Sequence, residues 1–378
     1  MRRGIALSSA CLMLLVGLIP ARAEDRPAAA ARCELTAFPP LPAMTPEPSG
    51  WRGMLYGAMH AFARADAPDA ALKQLGGSSL TMRADLEVFR AALLDDLRND
   101  IRCLTREARI AHGDLAVRDG SVELHLRETT SAPRAIAALA AANGGAVDAI
   151  DFVDAGDGLI RLTPTDEGFA GRFGAMLDRA TEVVAGRVKD LGIAKASVAR
   201  DGADRIVIRL PGVKDASRFV AMFSKPARLE LRLVDASMSA EDALKSGVPL
   251  DDDVLYGLKD KRPWLVAKKV SVGGEHLVEA YAGLPESGEP YVYFRLDAGG
   301  TRAFADTTRE NVGRPFAIVL DDAVISAPVI REPIVGGTGQ INGGFTIAEA
   351  RYLGLLLNSG ALPLRLELVD QQTVAPAK

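Results

Sequence analysis

The sequence has few of the residues from which catalytic and metal sites are built. It contains four histidines in 378 residues, and they are far apart: His60, His112, His125 and His276. No H-x-H or H-E-x-x-H pair occurs, so the usual spacing of a zinc site is missing. The sequence also lacks a CxxC pair and the G-x-S-x-G turn of a hydrolase nucleophile. We therefore predict that the protein is not an enzyme and needs no metal or other cofactor.

Cysteine is equally scarce, since the three cysteines are Cys11, Cys33 and Cys103. Cys11 lies in an apolar run without a leucine three positions before it, which does not favour a lipoprotein. In an oxidising compartment, Cys33 and Cys103 could form a disulfide that ties the N-terminal segment to the helix carrying Cys103. Two free thiols, one of them buried, fit the sequence equally well.

Long apolar runs are limited to the start of the chain. An arginine pair at positions 2 and 3 precedes an uncharged stretch over residues 5–20, and an Ala-x-Ala cleavage site ends at Ala23. The apolar part is shorter than the roughly 20 residues of a membrane-spanning helix. We expect residues 1–23 to be a cleaved signal peptide, with the mature chain beginning at Glu24. The alternative is an uncleaved N-terminal segment that anchors the protein in the inner membrane.

Loss of the signal peptide removes three arginines and lowers the net charge from −4 to −7. Because an acidic chain repels the phosphates of nucleic acids, we predict no nucleic-acid partner. No second long apolar run follows, and the exported protein is expected to be soluble. Residues 24–50 are rich in alanine and proline and predict an extended linker, whereas residues 51–73 predict a helical N-terminal addition.

The middle of the chain repeats one order of elements. After the pair Gly76-Gly77, the pattern predicts a strand, a helix, two strands, a helix and a strand up to residue 153. The same order recurs over residues 159–234. It is the order of split βαβ, ferredoxin-like folds. We therefore predict an α+β protein in which residues 74–235 form a base of two ferredoxin-like halves in tandem.

Residues 236–344 are predicted as an α+β subdomain inserted into this base. They contain a hairpin whose two strands flank Asp321-Asp322, a pair suited to a tight turn. Pro328 and Gly336 follow in a segment that does not suit the middle of a strand.

The chain is then predicted to return to the base over residues 345–370 as a helix and a strand. Thr346 and Glu349 have the spacing of a capping box at the start of this helix, and Gly360 ends it. Residues 371–378 are expected to form a tail.

Two features of this part of the chain could suggest chemistry, and both have a simpler explanation. Asp321 and Asp322 could form an acid pair, but adjacent carboxylates in a hairpin turn are usually structural. Gly336, Gly337 and Gly339 could suggest a phosphate-binding loop. The segment, however, lacks the lysine of a P-loop and does not lead directly into a helix.

Residues 317–363 carry a longer pattern, consisting of Ala-Ile-Val-Leu-Asp, Ser-Ala-Pro-Val-Ile, Gly-Gly-Thr-Gly-Gln-Ile, Phe-Thr-Ile-Ala-Glu-Ala and Leu-Leu-Asn-Ser-Gly-Ala-Leu-Pro. This pattern resembles the signature of the first periplasmic domain of SecD, a subunit of the Sec protein-export machinery, and the resemblance extends over residues 75–374. It departs from the family at residues 71–74, where Ala-Leu-Lys-Gln stands in place of L-D-L-R. The signature and hinge positions are Gly76, Gly77, Gly202, Asp204, Arg205, Pro211, Gly212, Asp235, Asp321, Ser326, Pro328, Gly336, Gly337, Gly339, Gln340 and Gly360.

The resemblance implies a base and a movable head. The chain is expected to cross between them near Asp235 and to return over residues 336–344, so that these two crossings act as a hinge. Phe294 and Phe304 are candidate exposed contacts of the head, and a place in its core is the alternative. The family couples head motion to proton flow through membrane helices that have no counterpart here, so the chain is expected to act passively or with a membrane partner.

The function implied is a non-enzymatic, periplasmic accessory to protein export. It would bind translocating or unfolded polypeptides in the cleft between head and base, with membrane components of the Sec pathway as further partners. The alternative is an envelope protein-binding module that uses the same fold for a different partner. Residues 33–72, which the resemblance does not explain, favour this alternative.

We predict that the mature protein begins at Glu24. The intact mass of protein purified from the periplasm should lack residues 1–23, and an A23L substitution should block cleavage because the site needs a small residue. A protein that keeps residues 1–23 and remains in the membrane fraction would instead support the N-terminal anchor.

Overall fold

The computed structural model of this chain describes residues 67–142, 149–285 and 288–377. The predicted signal peptide, the linker and most of the helical N-terminal addition lie outside the described residues, as does Cys33. Cys103 lies on the helix Leu86–Glu107 and is disulfide-bonded. Its pairing with Cys33 stays a prediction.

The described residues form helices and strands in similar measure, which confirms the mixed α+β class. The α-helices are α1 (Ala67–Leu75), α2 (Leu86–Glu107), α3 (Ala132–Ala142), α4 (Asp166–Asp190), α5 (Ser217–Ser224), α6 (Ala240–Ser246), α7 (Ala298–Glu310) and α8 (Ile347–Asn358). The strands are β1 (Gly77–Ala84), β2 (His112–Arg118), β3 (Ser121–Leu126), β4 (Ile150–Asp154), β5 (Leu159–Pro164), β6 (Ser197–Asp201), β7 (Arg205–Pro211), β8 (Leu229–Val234), β9 (Asp252–Gly257), β10 (Pro263–Gly273), β11 (Leu277–Gly283), β12 (Tyr291–Leu296), β13 (Phe316–Leu320), β14 (Ala323–Ser326), β15 (Thr338–Ile341) and β16 (Leu366–Val374).

Helix α2 shows how local sequence sets an element. Its N-cap is Asp85, whose carboxylate accepts hydrogen bonds from the N–H groups of Glu87 at 3.1 Å and Val88 at 3.0 Å. Its buried apolar side chains recur every three or four residues, so that one stripe faces the core. They are Phe89, Leu93, Leu94, Leu97, Ile101 and Leu104.

Two four-stranded antiparallel sheets share one apolar core. The first sheet has the strand order β16-β1-β7-β6, and the second has the order β2-β3-β5-β4. Leu97 of α2 and Leu177 of α4 belong to the same apolar cluster as Leu80, Leu124 and Ile208 of the two sheets. We call the two sheets and helices α1–α5 the base.

The tandem arrangement of ferredoxin-like halves is not confirmed. The repeated order of elements groups β1 with β2–β4, but β1 pairs with β7 and β16. Strand β5, expected to open the second half, pairs with β3 and β4. The first strand of each expected half therefore lies in the other half's sheet. Alternation specifies that a strand has a buried face, but it does not specify which neighbouring strand completes the sheet.

The remaining strands form a closed barrel, β10-β8-β13-β14-β9, and a three-stranded sheet, β11-β12-β15. We call these strands, together with α6 and α7, the head. The predicted hairpin is present as β13 and β14, and Asp321 and Asp322 at its turn have φ values of 49° and 64°. Positive φ at both turn residues is the geometry of a type I′ hairpin.

The head has apolar clusters of its own. Val234, Val266 and Val319 belong to one cluster within the barrel strands. Phe294, Phe304 and Phe316 belong to another, where the three-stranded sheet and α7 pack against the barrel. Since base and head do not share these clusters, they are separately packed units of one chain.

Gly77 provides a test of how tightly β1 is held. It has a φ of +138°, and a Cβ placed there would lie 2.4 Å from the carbonyl oxygen of Leu210. We expect G77A to lower the free energy of unfolding by about 2 kcal/mol or more, because alanine is strained at this φ and the backbone of β7 must move.

The matched control is G171A, since Gly171 lies within α4 and a Cβ there meets nothing within 4 Å. This substitution should raise the free energy of unfolding by up to about 1 kcal/mol, because glycine weakens a helix interior. Urea unfolding of both variants measures the two effects, and a G77A protein as stable as G171A would contradict the prediction.

Candidate functional site at the junction of base and head

The chain passes between base and head twice, and the two passages lie side by side. On the way out, Ala227 still packs in the base core, whereas Leu229 already belongs to a cluster of the head. On the way back, Leu362 rejoins the base core just after α8. The N–H of Leu362 donates a hydrogen bond of 2.7 Å to the carbonyl oxygen of Pro226, so the outgoing and returning segments are in direct contact.

These positions differ from the expected hinge. We call residues 225–228 and 359–362 the two crossings. Asp235, the expected exit, lies beyond β8 in the head, where its N–H donates to the carbonyl oxygen of Leu265 at 2.9 Å. Residues 336–344, the expected return, contain β15, which pairs with β12 in the head sheet. Strand β8 matches the strand pattern of the base, but it pairs with β10 and β13 of the barrel.

One arginine of the base holds both crossings. Arg187 of α4 is fully buried, with 0% of its surface exposed. Its guanidinium donates five hydrogen bonds. Four go to the carbonyl oxygens of Met222 (2.6 Å), Lys225 (2.7 Å), Pro226 (3.3 Å) and Gly360 (3.1 Å), and one goes to the hydroxyl oxygen of Ser359 (3.1 Å). The planar fork of an arginine can donate in several directions at once, so one side chain joins two chain segments.

Burial lowers the pKa of Arg187 to about 10, and the neighbouring Tyr352 and Asp321 oppose this shift. Arginine therefore stays protonated at neutral pH. A buried cation is costly unless its donors are satisfied, and here backbone carbonyls and one hydroxyl satisfy them.

The hairpin turn of the head reaches the outgoing crossing from the other side. The carboxylate of Asp321 accepts hydrogen bonds from the N–H groups of Ala227 at 3.2 Å and Arg228 at 2.8 Å. The N–H of Asp321 in turn donates to the carbonyl oxygen of Arg228 at 3.1 Å. Ala227 is held at a φ of 58°, which is strained for a residue with a side chain. Asp321 thus fixes a bend of the chain, and this structural role explains its position without an acid pair.

Helix α8 lies between the two units and contacts both. The predicted capping box is present: Glu349 N–H donates to Thr346 Oγ1 at 3.2 Å, and Thr346 N–H donates to Glu349 Oε2 at 2.8 Å. Leu353 and Leu357 pack in the head, whereas Leu356 packs in the base core. The helix expected to return to the base is therefore shared.

An open cleft of about 350 Å³ lies where α8 passes the edge strand β11. Gly354 allows the helix to approach, since a Cβ there would lie 3.1 Å from the Cα of Tyr281. The cleft is lined by Asp190, Ala280, Tyr281, Ala282, Leu284, Arg351, Gly354, Leu355 and Asn358. It is the recess between the base, α8 and the head sheet.

A second cavity, of about 270 Å³, lies inside the head and is mostly apolar. Its lining includes Phe294, Phe304 and Phe316. Phe294 and Phe304 are only 2% and 4% exposed, which confirms the alternative that they lie in the core of the head and not among its exposed contacts. Strand β12 alternates, and Phe294 lies on its buried face.

The head also contains a pair of aspartates, Asp235 and Asp252. Hydrogen bonds from Ser237 lower the pKa of Asp235. Burial, and then the negative charge of Asp235, raise the pKa of Asp252. Among the residues that the structure describes, no group of three or more His, Cys, Asp or Glu side chains could hold a metal ion.

At the junction, the side chains of Arg187 and Asp321 bind the backbone of the crossings. This arrangement can therefore control the orientation of the head on the base. No helix within residues 67–142, 149–285 and 288–377 has the length and apolar character needed to cross a membrane.

Two family models match adjoining parts of the chain. The P1 domain of protein translocase subunit SecDF, N-terminal part, matches residues 177–236, from within α4 to just past β8. The SecDF P1 head subdomain matches residues 252–364, from β9 to the returning crossing. The chain carries a SecD/SecDF P1 domain.

Sequence relatives agree with this P1 assignment. SecD of Rickettsia bellii is 30% identical over 315 residues, which cover 82% of this chain and 59% of the relative. SecD of Acetobacter pasteurianus is 33% identical over 305 residues, covering 80% of this chain and 58% of the relative. The P1-containing chain therefore spans less than two thirds of the length of these relatives.

Two solved SecDF structures are also similar to this chain. A crystal structure of SecDF in a super-membrane-facing form matches with 31% identity and a TM-score of 0.44, over 53% of this chain and 28% of that one. A second SecDF structure matches with 30% identity and a TM-score of 0.43, over 52% of this chain and 92% of that one.

The signature residues of this P1 domain do not form one site. Gly76, Gly77, Pro211 and Gly212 meet where β1 begins and β7 ends, and the Gly212 N–H donates to Gly76 O at 2.9 Å. Gly202, Asp204 and Arg205 lie at the opposite end of β7, where the carbonyl oxygen of Asp204 accepts a hydrogen bond of 2.8 Å from Ala84 N–H.

The remaining signature residues divide between the head and the junction. Ser326 pairs with Ile318 in the barrel, the carbonyl of Pro328 accepts from Phe316 N–H, and Gly336 to Gln340 lead into and form β15. Of the signature set, Asp321 contacts the outgoing crossing and Gly360 lies in the returning crossing. Most of the signature thus specifies turns and packing of the P1 fold.

Arg187, which the site prediction missed, has a sequence signal. Along α4 the buried side chains follow steps of four and three, and Arg187 occupies the next position of this stripe. The stripe consists of Phe173, Leu177, Ala180, Val184 and Arg187. A charged residue in an apolar stripe must find buried partners, so it marks a polar junction.

We expect R187M to lower the free energy of unfolding by about 3 kcal/mol, because five buried oxygen acceptors lose their charged donor. Amide hydrogen exchange should also increase at both crossings. Chemical unfolding and exchange mass spectrometry measure these two effects.

The control is R179M, on the same helix, since Arg179 is 65% exposed and pairs with Glu182 at the surface. Its effect should stay within about 0.5 kcal/mol. If R187M unfolds like R179M and exchange at residues 225–228 is unchanged, Arg187 does not hold the junction.

Proposed function

We propose that the chain is a non-enzymatic accessory to protein export that binds translocating or unfolded polypeptides on the outer side of the membrane. The observation that carries this proposal is the pair of separately packed units, base and head, which meet at an open cleft and are joined by two adjacent crossings. A recess between two units can hold a segment of extended chain without a fixed sequence, because its walls are supplied by different parts of the fold.

The family supports the export role. The relatives are named protein translocase subunit SecD, and one solved SecDF is described as a membrane component that enhances protein export. Because this chain spans 59% of the Rickettsia bellii relative, the activity and partners of whole SecD proteins come to it as proposals. Membrane components of the Sec pathway are proposed as partners, and a signal peptide would place the chain in the periplasm.

The base and head are proposed as the two functional units, with boundaries at the crossings. Among the described residues, the base would comprise residues 67–142, 149–226 and 362–377, and the head residues 229–285 and 288–345, with α8 shared between them. The crossings would act as the hinge in place of Asp235 and residues 336–344. Head orientation would then depend on the hydrogen bonds that Arg187 and Asp321 make.

Photo-crosslinking in cells tests the export role. A photoreactive residue at Leu284, which is 44% exposed and lines the cleft, should capture precursors arrested during export. The same residue at Val153, which is 49% exposed on β4 of the base, is the control and should capture few.

Equal capture at both positions, or no precursor at either, would argue against polypeptide binding in the cleft. Capture of a single folded envelope protein at Leu284 would favour the envelope-binding alternative.

A further inference from the structure

One segment of the head leaves the barrel and returns to it between two aspartates. Asp235 directly follows β8, and Asp252 is the first residue of β9. We call residues 236–251, which include α6, the α6 segment. The Asp235 N–H donates to the carbonyl oxygen of Leu265 on β10 at 2.9 Å, and Asp252 pairs with Ala267 on the same strand. Both ends of the segment are therefore held at β10, which pairs with β8 and with β9.

The side chains of these two aspartates are hydrogen-bonded to each other. Two carboxyl groups can form such a bond only when one of them carries a proton, because a carboxylate has acceptors alone. The N–H and the hydroxyl of Ser237 both donate to the carboxylate of Asp235 at 2.8 Å, which stabilises its charged form. Asp252 is only 8% exposed, and burial disfavours a charge there. The proton of the pair therefore belongs to Asp252, which donates to Asp235.

The α6 segment packs on the barrel through small side chains. Ala240 and Ala243 of α6 form an apolar cluster with Leu265 of β10, and the partly buried Val254 of β9 packs against it. The larger apolar side chains of the segment are exposed to solvent. They are Met238, Leu244, Val248 and Leu250. Because two alanine methyl groups bury little area, packing alone holds the segment weakly.

Charges on the two sides of the pair act in opposite directions. Asp251, the exposed neighbour of Asp252, disfavours a negative charge on Asp252, whereas Lys268 of β10 favours it. Arg314, which lies just before β13, favours the charge of Asp235. Asp252 thus faces a carboxylate from Asp235 and another from Asp251, so its own ionisation is the costly one.

Other charges near the pair are engaged elsewhere or exposed. Asp253, the next residue of β9, forms an ion pair of 3.1 Å with Arg232 of β8. The ammonium group of Lys268 donates to the carbonyl oxygen of Leu250 at 2.7 Å and lies 3.9 Å from the carboxylate of Asp253. The charged residues of α6 are exposed, namely Glu241, Asp242 and Lys245.

We propose that Asp235 and Asp252 form a pH-sensitive clasp that keeps the α6 segment closed on the barrel while the pair carries one proton. When Asp252 gives up this proton to water, two carboxylates face each other and the segment is released. The ionised Asp252 must gain water, and the α6 segment is the part that can move to admit it, because its two ends stay fixed at β10. Release exposes Leu265 and Val254, so the head gains an apolar surface at higher pH.

The direction of the pH dependence follows from the two carboxyl groups. Burial, and then the charge of Asp235, raise the pKa of Asp252, so the closed form binds a proton that the released form gives up. Closure is therefore favoured at lower pH and is lost as the pH rises through the raised pKa of Asp252. Hydrogen bonds from Ser237 lower the pKa of Asp235, so this carboxylate keeps its charge to a pH below the ordinary range of an aspartate.

Amide hydrogen exchange of the full mature chain tests the clasp, with D252N as the variant. Asparagine has the shape of the protonated acid and can still donate to Asp235, but it cannot ionise. The reporters are the N–H groups of Ala243 and Gly247, which donate to the carbonyl oxygens of Ser239 at 3.0 Å and Ala243 at 2.9 Å. The two proteins are compared at the same pH, from about pH 4 to about pH 8, so that intrinsic exchange rates cancel.

At the low end of this range, the unaltered chain and D252N should exchange equally fast. Toward the high end, the unaltered chain should exchange at least about fivefold faster at both amides, which is the effect of two unit charges about 4 Å apart even in water. The matched control is D251N, which removes an exposed carboxylate beside the pair. It should keep the pH dependence, displaced to lower pH. Equal rates in the unaltered chain and D252N at every pH would overturn the proposal, as would a D251N chain without pH dependence.

A second measurement applies to the unaltered chain and so remains valid if D252N does not fold. The carboxyl ¹³C resonance of Asp252, assigned through its own backbone resonances, should titrate above the ordinary range of an aspartate. The exchange of the Ala243 amide should rise over the same pH interval. Titration of Asp252 within the ordinary range, or titration above it with no change in exchange, would show that the pair does not hold the segment.

Discussion

One buried guanidinium holds the base and the head together. The oxygen atoms that face Arg187 come from two stretches that are far apart in sequence: residues 222–226, at the end of α5 and in the outgoing crossing, and residues 359–360, in the turn after α8. Removing a cation from water is costly, and the cost is offset here because every direction of the guanidinium meets an acceptor. The geometry of both crossings is thus determined by one side chain of the base, while Asp321 of the head holds the same bend from the opposite side.

Helix α8 supports the same connection between base and head. A helix that belonged to one unit alone would leave the head attached by two unsupported segments. Because Leu353 and Leu357 pack in the head and Leu356 packs in the base, a rotation of the head must either carry α8 along or slide past it. The open cleft beside α8 is then the volume that such a movement changes. Of the head sheet, strand β11 lines this cleft, and on the neighbouring β12 the buried Phe294 alternates with the half-buried Tyr291 and Tyr293.

Features set by neighbouring residues could be predicted from the sequence, whereas features set by distant pairing could not. The apolar spacing of α2, the capping box at Thr346 and the hairpin at Asp321-Asp322 are all present as predicted. The sheet to which β1 and β5 belong could not be predicted from their own residues. Both strands have the alternation of buried and exposed positions that either sheet requires. For the candidate site, the signature supplied Asp321 and Gly360. The sequence shows that Arg187 interrupts an apolar stripe of α4. It does not show where the partners of Arg187 lie, because most of them are backbone carbonyls, which every residue has.

The pairing of β1 with β16 has a consequence for the order in which the protein is made. The base sheet that contains β1 takes its edge strand from residues 366–374, whereas all barrel strands of the head are complete by residue 326. During vectorial emergence from a ribosome or a membrane pore, the head can close while the first base sheet still lacks its final strand. The barrel of the head can therefore be finished first, whereas β1, which was synthesised earlier, waits for residues 366–374.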